Sequence, residues 1–202
     1  MNAVRHGLAL CMLMFMPSAF VYWFSIHPLI RFWRRLGVRR TVAIHCALFA
    51  AIAAGVFLLR KTLLAVDFGA NPILIAVAVP LLATSIVLRR NFSRHLRLKI
   101  MFGLPELAPK RYPQRLLTEG TYSRIRHPRY VEILLGLTSW ALVANNPATC
   151  VIWIIAIPSL LVIVHIEERE LRHRFGAEYE AYSARVPRFI PRWRATRLVS
   201  GA

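Results

Sequence analysis

The chain has 202 residues, of which 57% are hydrophobic, and its mean hydropathy is +0.49. This composition is too apolar for an ordinary soluble domain and excludes a disordered chain, so the default class is an integral membrane protein. Lys and Arg number 27 against nine Asp and Glu, which gives a formal net charge of +18.

Long stretches without a charged residue predict the membrane-spanning helices. Three such stretches, each of at least 19 residues, lie within the first 88 residues, and each can cross about 30 Å of hydrocarbon as a helix. The stretch between Glu132 and Glu167 is too long for one span, and the turn-forming Asn145-Asn146-Pro147 inside it predicts a helical hairpin. Five spans follow, at about 7–26, 41–60, 72–88, 129–144 and 148–166, and the fourth is short.

The positions of Lys and Arg predict the orientation in the membrane. Of the 27, 24 lie in the segments 27–40 and 89–129 or after residue 166, and the other side holds Arg5, Arg60 and Lys61. The amino terminus is therefore expected outside and the carboxyl terminus in the cytoplasm, across a bacterial inner membrane. This bias accounts for the positive charge without nucleic acid, because no basic soluble domain is present to bind it.

Two carboxylates interrupt the last apolar run where it ends. An unpaired carboxylate is costly there and is usually functional, so Glu167 and Glu168 are candidate site residues that suit a cationic ligand. The acidic residues that follow are expected to form exposed ion pairs at i,i+4 spacing with neighbours such as Arg172. They are Glu170, Glu178 and Glu180.

A second cluster occupies residues 120–130. Pro128 is suited to the first position of a helix because it lacks only an N–H that would be unpaired there. The backbone amides of that helix start would then lie beside Arg126 and His127 and could bind a carboxylate or phosphate. The alternative is an Arg and Tyr anchor at the lipid headgroups.

A third cluster occupies residues 175–191. Tyr179 and Tyr182 are three residues apart and share one helix face. Beside the prolines of the following segment they could hold a purine, or they could belong to an amphipathic interfacial helix.

Other chemistries find no support in the pattern. There is no metal-ligand set, no P-loop and no dinucleotide-binding glycine motif. The three cysteines lie within apolar runs and are interpreted as small core residues. They are Cys11, Cys46 and Cys150.

The order of the three clusters resembles one family. The pattern G-x-Y-x-x-x-R-H-P-x-Y from Gly120 to Tyr130, a membrane hairpin, Glu167-Glu168, then F-G-x-x-Y-x-x-Y and V-P-x-x-I-P are similar to the integral-membrane isoprenylcysteine carboxyl methyltransferases and the related phospholipid N-methyltransferases. The resemblance implies an all-α integral membrane fold of about five transmembrane helices with a cytoplasmic cofactor site. Residues 1–202 are expected to form one membrane domain, with a three-helix part at 1–88 and a methyltransferase-like catalytic part at 105–192.

The resemblance implies S-adenosyl-L-methionine as the methyl donor. Glu167 would meet its cationic sulfonium and ammonium groups, and His127 with the Pro128 helix start would meet its carboxylate. Tyr122 and the region of Pro187 would meet the adenine. The cofactor-binding positions implied by the family are Gln114, Arg115, Leu116, Leu117, Tyr122, His127, Pro128, Arg129, Tyr130 and Glu167.

The catalytic pair is expected to act on the acceptor. Arg126 is expected to orient an acceptor carboxylate, and Glu168 to orient or deprotonate an acceptor amine. The expected acceptor is lipophilic and arrives from the bilayer, with carboxyl O-methylation as the main expectation. The alternatives are phospholipid N-methylation and an NADPH-dependent membrane reductase of related topology.

The chain departs from the eukaryotic prenylcysteine enzymes of that family at two places. Those enzymes have an arginine about one turn before the glutamate pair, where this chain has Ile163-Val164-His165, and the ending at residues 186–191 also differs. A small isoprenoid or fatty carboxylate, a phospholipid amine or a thiol is therefore a better expectation than a prenylated protein.

Overall fold

The computed structural model describes residues 2–93, 107 and 115–191, and all the regular structure in these residues is helical. This confirms the predicted all-α fold. A short 3-10 turn, Gly120–Ser123, precedes the last three helices. The helices are α1 (Ala3–Ile26), α2 (Ile30–Leu36), α3 (Val38–Leu63), α4 (Pro72–Ser93), α5 (Pro128–Ala144), α6 (Pro147–Phe175) and α7 (Ala177–Arg185).

Four helices of the described residues, α1, α3, α4 and α6, are long and apolar enough to cross a membrane. They coincide with the first, second, third and fifth predicted spans. The predicted fourth span, 129–144, is α5, whose 17 residues give a helix about 25 Å long. That length is below the thickness of about 30 Å of the hydrocarbon core, so a full crossing by α5 stays a prediction.

Helices α1, α5 and α6 form the centre of the bundle. They pack on one another, while α3 lies against α1 and α4 lies along α5. In the most apolar window of each span, 33% of α1 and 28% of α6 are buried inside the protein, against 6% of α3 and 11% of α4. The outer two helices therefore present most of their apolar side chains outward, as lipid-facing helices do.

The hairpin between α5 and α6 forms as predicted. Asn145 ends α5 in the left-handed conformation (φ 46°), which asparagine tolerates better than most residues. The Asn146 side chain accepts a hydrogen bond from the amide of Ala148, and Pro147 is the first residue of α6. The predicted turn chemistry thus supplies both helix caps.

Helices α4 and α5 approach closely through small and polar residues. A Cβ added to Gly136 would lie 3.3 Å from the Ser85 hydroxyl oxygen, so this contact depends on glycine. The buried carboxylate of Glu132 accepts hydrogen bonds from Nε (2.9 Å) and Nη2 (2.7 Å) of Arg89. The only carboxylate within α5 is therefore neutralised by a residue of α4, as a charge inside an apolar helix requires.

An arginine near the amino terminus joins the hairpin to the loop before α4. Arg5 is 5% exposed and forms an ion pair with Asp67. It also donates to the carbonyl oxygens of Val143 (3.1 Å) and Ala144 (2.8 Å). The charge pattern predicts the side of the membrane on which Arg5 lies, but it does not predict these contacts.

The cysteines depart from their predicted positions. Cys11 and Cys46 are exposed at the helix surface, and Cys150 is partly buried. In a membrane protein an apolar run can face lipid as well as the core, which is why the core interpretation failed for the first two.

Candidate active site

The second and third sequence clusters meet the glutamate pair at one end of the bundle. At this end α1 finishes and α5 begins, and we call it the site end. Gly176, with a φ of 51°, separates α6 from α7, a conformation that glycine adopts without strain. The turn at 120–127 and the residues after α7 can therefore both reach the last turns of α6.

Glu168 is the centre of this assembly. Its side chain is fully buried and accepts hydrogen bonds from Arg126 Nη2 (2.9 Å), Arg188 Nη2 (2.7 Å) and Arg188 Nε (3.0 Å). His127 Nε2 lies 3.1 Å from the same carboxylate, and Arg172 Nη2 lies 3.4 Å away. Both carboxylate oxygens are thus engaged by protein cations, which is how a buried carboxylate becomes tolerable.

Residues 186–191, which we call the C-terminal strap, pair with the turn before α5. The amide of Arg126 donates to the Pro187 carbonyl at 2.9 Å, and the amide of His127 donates to the Arg188 carbonyl at 3.1 Å. Val186 has the extended backbone that such pairing needs (φ −105°, ψ 124°). The strap therefore holds the turn both through its backbone and through the Arg188 side chain.

The Arg126 side chain is committed to the same assembly. Its Nη1 donates to the carbonyls of Ser183 and Val186, and its Nη2 donates to Glu168. Only Nε is left without a hydrogen-bond partner among the described residues. This guanidinium is therefore held in place by the protein before any ligand binds.

The helix start at Pro128 is less open than the sequence predicted. Its neighbouring amides are used internally: those of Arg126 and His127 by the strap, and that of Tyr130 by the His127 carbonyl at 3.2 Å. These amides are therefore not available to an anion, and anion binding at this helix start stays a prediction.

Glu167, unlike its neighbour, faces the open part of the site. Its side chain is 35% exposed, and Oε2 lies 3.6 Å from Nδ1 of His127. Burial, reinforced by the Glu167 carboxylate, raises the pKa of the Tyr122 hydroxyl well above its usual value, while Arg129 opposes the shift. Glu167 therefore supplies negative charge to a space bordered by a histidine and a tyrosine.

Three buried side-chain atoms lack a hydrogen-bond partner in the part of the chain that the structure describes. They are Nε of Arg126, Oε2 of Glu167 and the hydroxyl oxygen of Tyr179. Buried polar atoms are nearly always satisfied in folded proteins. All three belong to the site end, which marks it as a place for a bound polar group.

The tyrosines of α7 point into the protein. Tyr179 is 0% and Tyr182 5% exposed, and their ring centroids lie 6.1 Å apart. Tyr182 donates its hydroxyl to the Tyr122 carbonyl at 2.7 Å, and burial raises the pKa of Tyr179 and of Tyr182 to about 12. They therefore pack beneath the site, and an interfacial helix would have exposed them.

The remaining predicted cofactor residues fall into two groups. Pro128 and Tyr130 are buried at the start of α5, and the Arg129 guanidinium lies 5.6 Å from the ring centre of Trp23 on α1. Arg115, Leu116 and Leu117 line a pocket together with Thr118 and Glu119. Glu167 and Glu168 are not among the described residues that line it. Gln114 lies outside the described residues.

Two side chains at the site end had no predicted role there. Arg188 lies at an unspecified position of the V-P-x-x-I-P motif. Glu170, expected in a local helix pair, lies 3.2 Å from Nδ1 of His27, the residue that follows α1. A fully buried carboxylate requires compensating cations, and this requirement could have indicated that Glu168 has partners. The requirement does not indicate which residues of the chain supply those cations. Among the described residues no group of His, Cys, Asp and Glu could hold a metal ion.

Comparisons with known proteins give a family and two relatives of this chain. The sequence profile of a phospholipid methyltransferase family matches residues 73–178. The chain is 34% identical over 84 residues to methanethiol S-methyltransferase 2 of Bradyrhizobium diazoefficiens, covering 42% of this chain and 32% of that protein. It is 30% identical over 78 residues to protein-S-isoprenylcysteine O-methyltransferase B of Arabidopsis thaliana, covering 38% of this chain and 40% of that protein. No solved structure matches the chain.

The helical bundle with its four long apolar helices defines an integral-membrane protein. The profile spans about half of the chain, from α4 to the start of α7. The chain belongs to the phospholipid methyltransferase family. It spans less than half the length of each of the two relatives named above.

Proposed function

We propose that this chain transfers the methyl group of S-adenosyl-L-methionine to a lipophilic acceptor at the cytoplasmic face of the membrane, with a carboxyl oxygen as the methylated atom. The observation that carries the proposal is the site end itself. There, a partly exposed Glu167 stands beside a fully neutralised Glu168, and the three unpartnered buried atoms of the described residues belong to the same assembly. Family membership makes methyl transfer the activity to test first.

The residues present fit this donor chemically. The donor carries a sulfonium and an ammonium, and Glu167 offers a carboxylate with an unpartnered oxygen. It also carries a carboxylate, for which Arg129 and His127 are the nearby cationic or hydrogen-bonding groups. When bound, the donor supplies an electrophilic methyl group on a positively charged sulfur.

The residues that we propose to bind the donor are those implied by the family motifs. Tyr122, His127 and Glu167 are supported by their proximity in the structure. The other proposed donor-binding residues rest only on their positions in the family motifs. They are Gln114, Arg115, Leu116, Leu117, Pro128, Arg129 and Tyr130.

Methyl transfer by direct displacement needs little covalent help from the protein. The main contribution is to hold donor and acceptor in line in a site whose charges are already arranged. The contacts of Glu168 bear on its predicted role, because both of its oxygens already accept hydrogen bonds from arginine. We propose that Glu168 and Arg126 act by holding the site in shape, and that deprotonation of an amine is not their task.

The acceptor class follows from the setting and from the relatives. The printed names of the two relatives describe methylation of an isoprenylcysteine carboxyl oxygen and of methanethiol sulfur. The site end lies at the end of a bundle of apolar helices, which favours an acceptor with an apolar part. Carboxyl O-methylation is the main proposal, with phospholipid N-methylation and thiol S-methylation as its alternatives. Family membership favours methyl transfer over the reductase alternative.

The test is transfer of labelled methyl from S-adenosyl-L-methionine into a total membrane lipid extract. We expect Glu167→Gln to reduce transfer by about a hundredfold, since it removes the charge that meets the donor's cations. The matched control is Glu178→Gln, an exposed glutamate of α7, which we expect to retain activity. Base-labile label identifies a carboxyl ester, and base-stable label identifies an N- or S-methyl product. Unchanged donor affinity in Glu167→Gln would exclude the proposed cofactor role.

The arrangement in the membrane is part of the proposal. In this proposal residues 1–202 form a single membrane domain, in which the part at 1–88 packs against and stabilises the catalytic part at 105–192. The packing of α1 against α5 and α6 is consistent with this division. The site end faces the cytoplasm, and the protein resides in a bacterial inner membrane. This assignment is supported by the distribution of Lys and Arg.

A further inference from the structure

We propose that Arg188 is a positioning residue of the donor site, which holds Glu168 so that Glu168 fixes the His127 ring and the Arg126 guanidinium beside Glu167. The inference rests on the proposed function, because it assigns a task within that site. It concerns a residue outside the matched family region, which ends at residue 178.

The first step of the argument is the geometry of the arginine. Arg188 donates Nη2 to Oε2 of Glu168 at 2.7 Å and Nε to Oε1 at 3.0 Å, so its planar fork matches both carboxylate oxygens. Such two-point pairs fix orientation as well as charge. The pair also raises the pKa of Arg188, first because of the hydrogen bond with Glu168.

The second step is what the oriented carboxylate then does. Oε1 of Glu168 is shared by Arg126 Nη2 at 2.9 Å and His127 Nε2 at 3.1 Å. The opposite ring nitrogen of His127 faces Glu167 at 3.6 Å. A rotation of the Glu168 carboxylate would therefore turn the imidazole that borders Glu167.

The third step compares Arg188 with Arg172, another cation that contacts the same carboxylate. Arg172 approaches Glu168 at 3.4 Å with one nitrogen, one helical turn along α6. This long, single contact within one helix adds charge without fixing the plane of the carboxylate. Arg172 therefore provides a comparison with the same charge and the same partner, for which we expect a smaller effect.

The experiment measures binding of S-adenosyl-L-methionine and methyl transfer with the purified full chain in lipid nanodiscs. Arg188→Gln is expected to raise the Kd for the donor about tenfold, the scale of one charge-assisted hydrogen bond, and to raise its KM in parallel with little change in kcat. Arg188→Lys should recover part of the affinity, because an ammonium restores charge but not the fork. Arg172→Gln should weaken donor binding clearly less than Arg188→Gln, and Arg185→Gln, an exposed residue without a contact to Glu168, should stay within about twofold of the wild type.

Folding is separated from positioning in the same series. The strap pairs with His127 through the Arg188 carbonyl, which every substitution retains, so we expect Arg188→Gln to remain folded and to unfold cooperatively, with a lower Tm because Glu168 loses its two-point partner. If Arg188 acts through Glu168, adding Arg188→Gln to a Glu168→Gln protein should weaken binding little further.

The outcomes are distinguishable. Equal donor affinity in Arg188→Gln and Arg172→Gln, or a full second loss in the double variant, would overturn the positioning role and leave the proposed function intact. Full affinity in Arg188→Lys would show that charge alone matters, which also overturns it. Failure of the wild type to bind the donor would overturn both proposals.

Discussion

Single ion pairs are expected to decide how this chain responds to pH and substitution. Arg5 and Asp67 join the amino terminus to the loop between α3 and α4, and the hydrogen bond from Arg5 holds the pKa of Asp67 below its usual value. At the site end, Glu168 plays the same kind of part with three arginines. In both places one carboxylate joins segments distant in sequence. Its removal should therefore loosen the packing of segments that are far from it along the chain.

The Asp67 pair gives a pH-dependent prediction. Because its folded-state pKa is lowered, the pair stabilises the protein above the ordinary aspartate pKa of 3.8, and this contribution is lost as the pH falls through the folded value. Asp67→Asn should therefore lower the Tm at pH 7, and the difference from wild type should shrink as the pH approaches 3. Thermal unfolding of the nanodisc protein across this range tests it, with Glu178→Gln as the control. A difference that does not depend on pH would contradict the assignment.

At the scale of helices, the contact between α4 and α5 is sensitive to side-chain size. Gly136 faces Ser85 so closely that a single added carbon would already lie 3.3 Å from the hydroxyl oxygen. Gly55 on the outer helix α3 has nothing within 4 Å of an added Cβ. A side chain added at Gly136 would therefore meet a neighbouring helix, whereas one added at Gly55 would meet no other atom of the protein within 4 Å.

These two glycines form a matched pair of substitutions. Gly136→Leu should destabilise the protein by about 1–3 kcal/mol, because overpacking forces the helices apart. Gly55→Leu should be nearly neutral, since its side chain points into open space or lipid. Chemical or thermal unfolding of both variants measures the difference. Equal stability in the two variants would mean that α4 and α5 do not pack as described.

At the scale of the whole molecule, topology follows from the distribution of basic residues. The connections on the site end and the carboxyl-terminal tail hold 24 of the 27 Lys and Arg, which favours the cytoplasmic side for that end. This orientation is required if the site end is to receive a cytosolic methyl donor. It also depends on α5 and α6 forming a hairpin that returns the tail to the same side.

Reporter fusions at the two ends of the chain test this orientation. A carboxyl-terminal fusion to a fluorescent protein should be bright and one to a periplasmic phosphatase inactive, with the opposite result at the amino terminus. The same pattern should persist in Glu167→Gln, a control that changes the site and leaves the basic residues in place. A phosphatase-active carboxyl terminus would refute the cytoplasmic placement of the site.

The sequence alone determined the helical class, the hairpin, the four long spans and the family motifs. These features depend on local properties: apolar length, turn residues at 145–147 and the order of short motifs. Each can be read from neighbouring residues, because helices form their hydrogen bonds within one segment of chain.

Only the tertiary structure decided which groups meet at the site. Arg126 lies 42 residues from Glu168 and Arg188 lies 20 residues from it, so their convergence depends on how α5, α6 and the C-terminal strap pack. The same packing separates the roles of two adjacent glutamates, because consecutive residues on a helix point about 100° apart. Glu168 is turned into a cluster of cations, and Glu167 is turned toward the open part of the site.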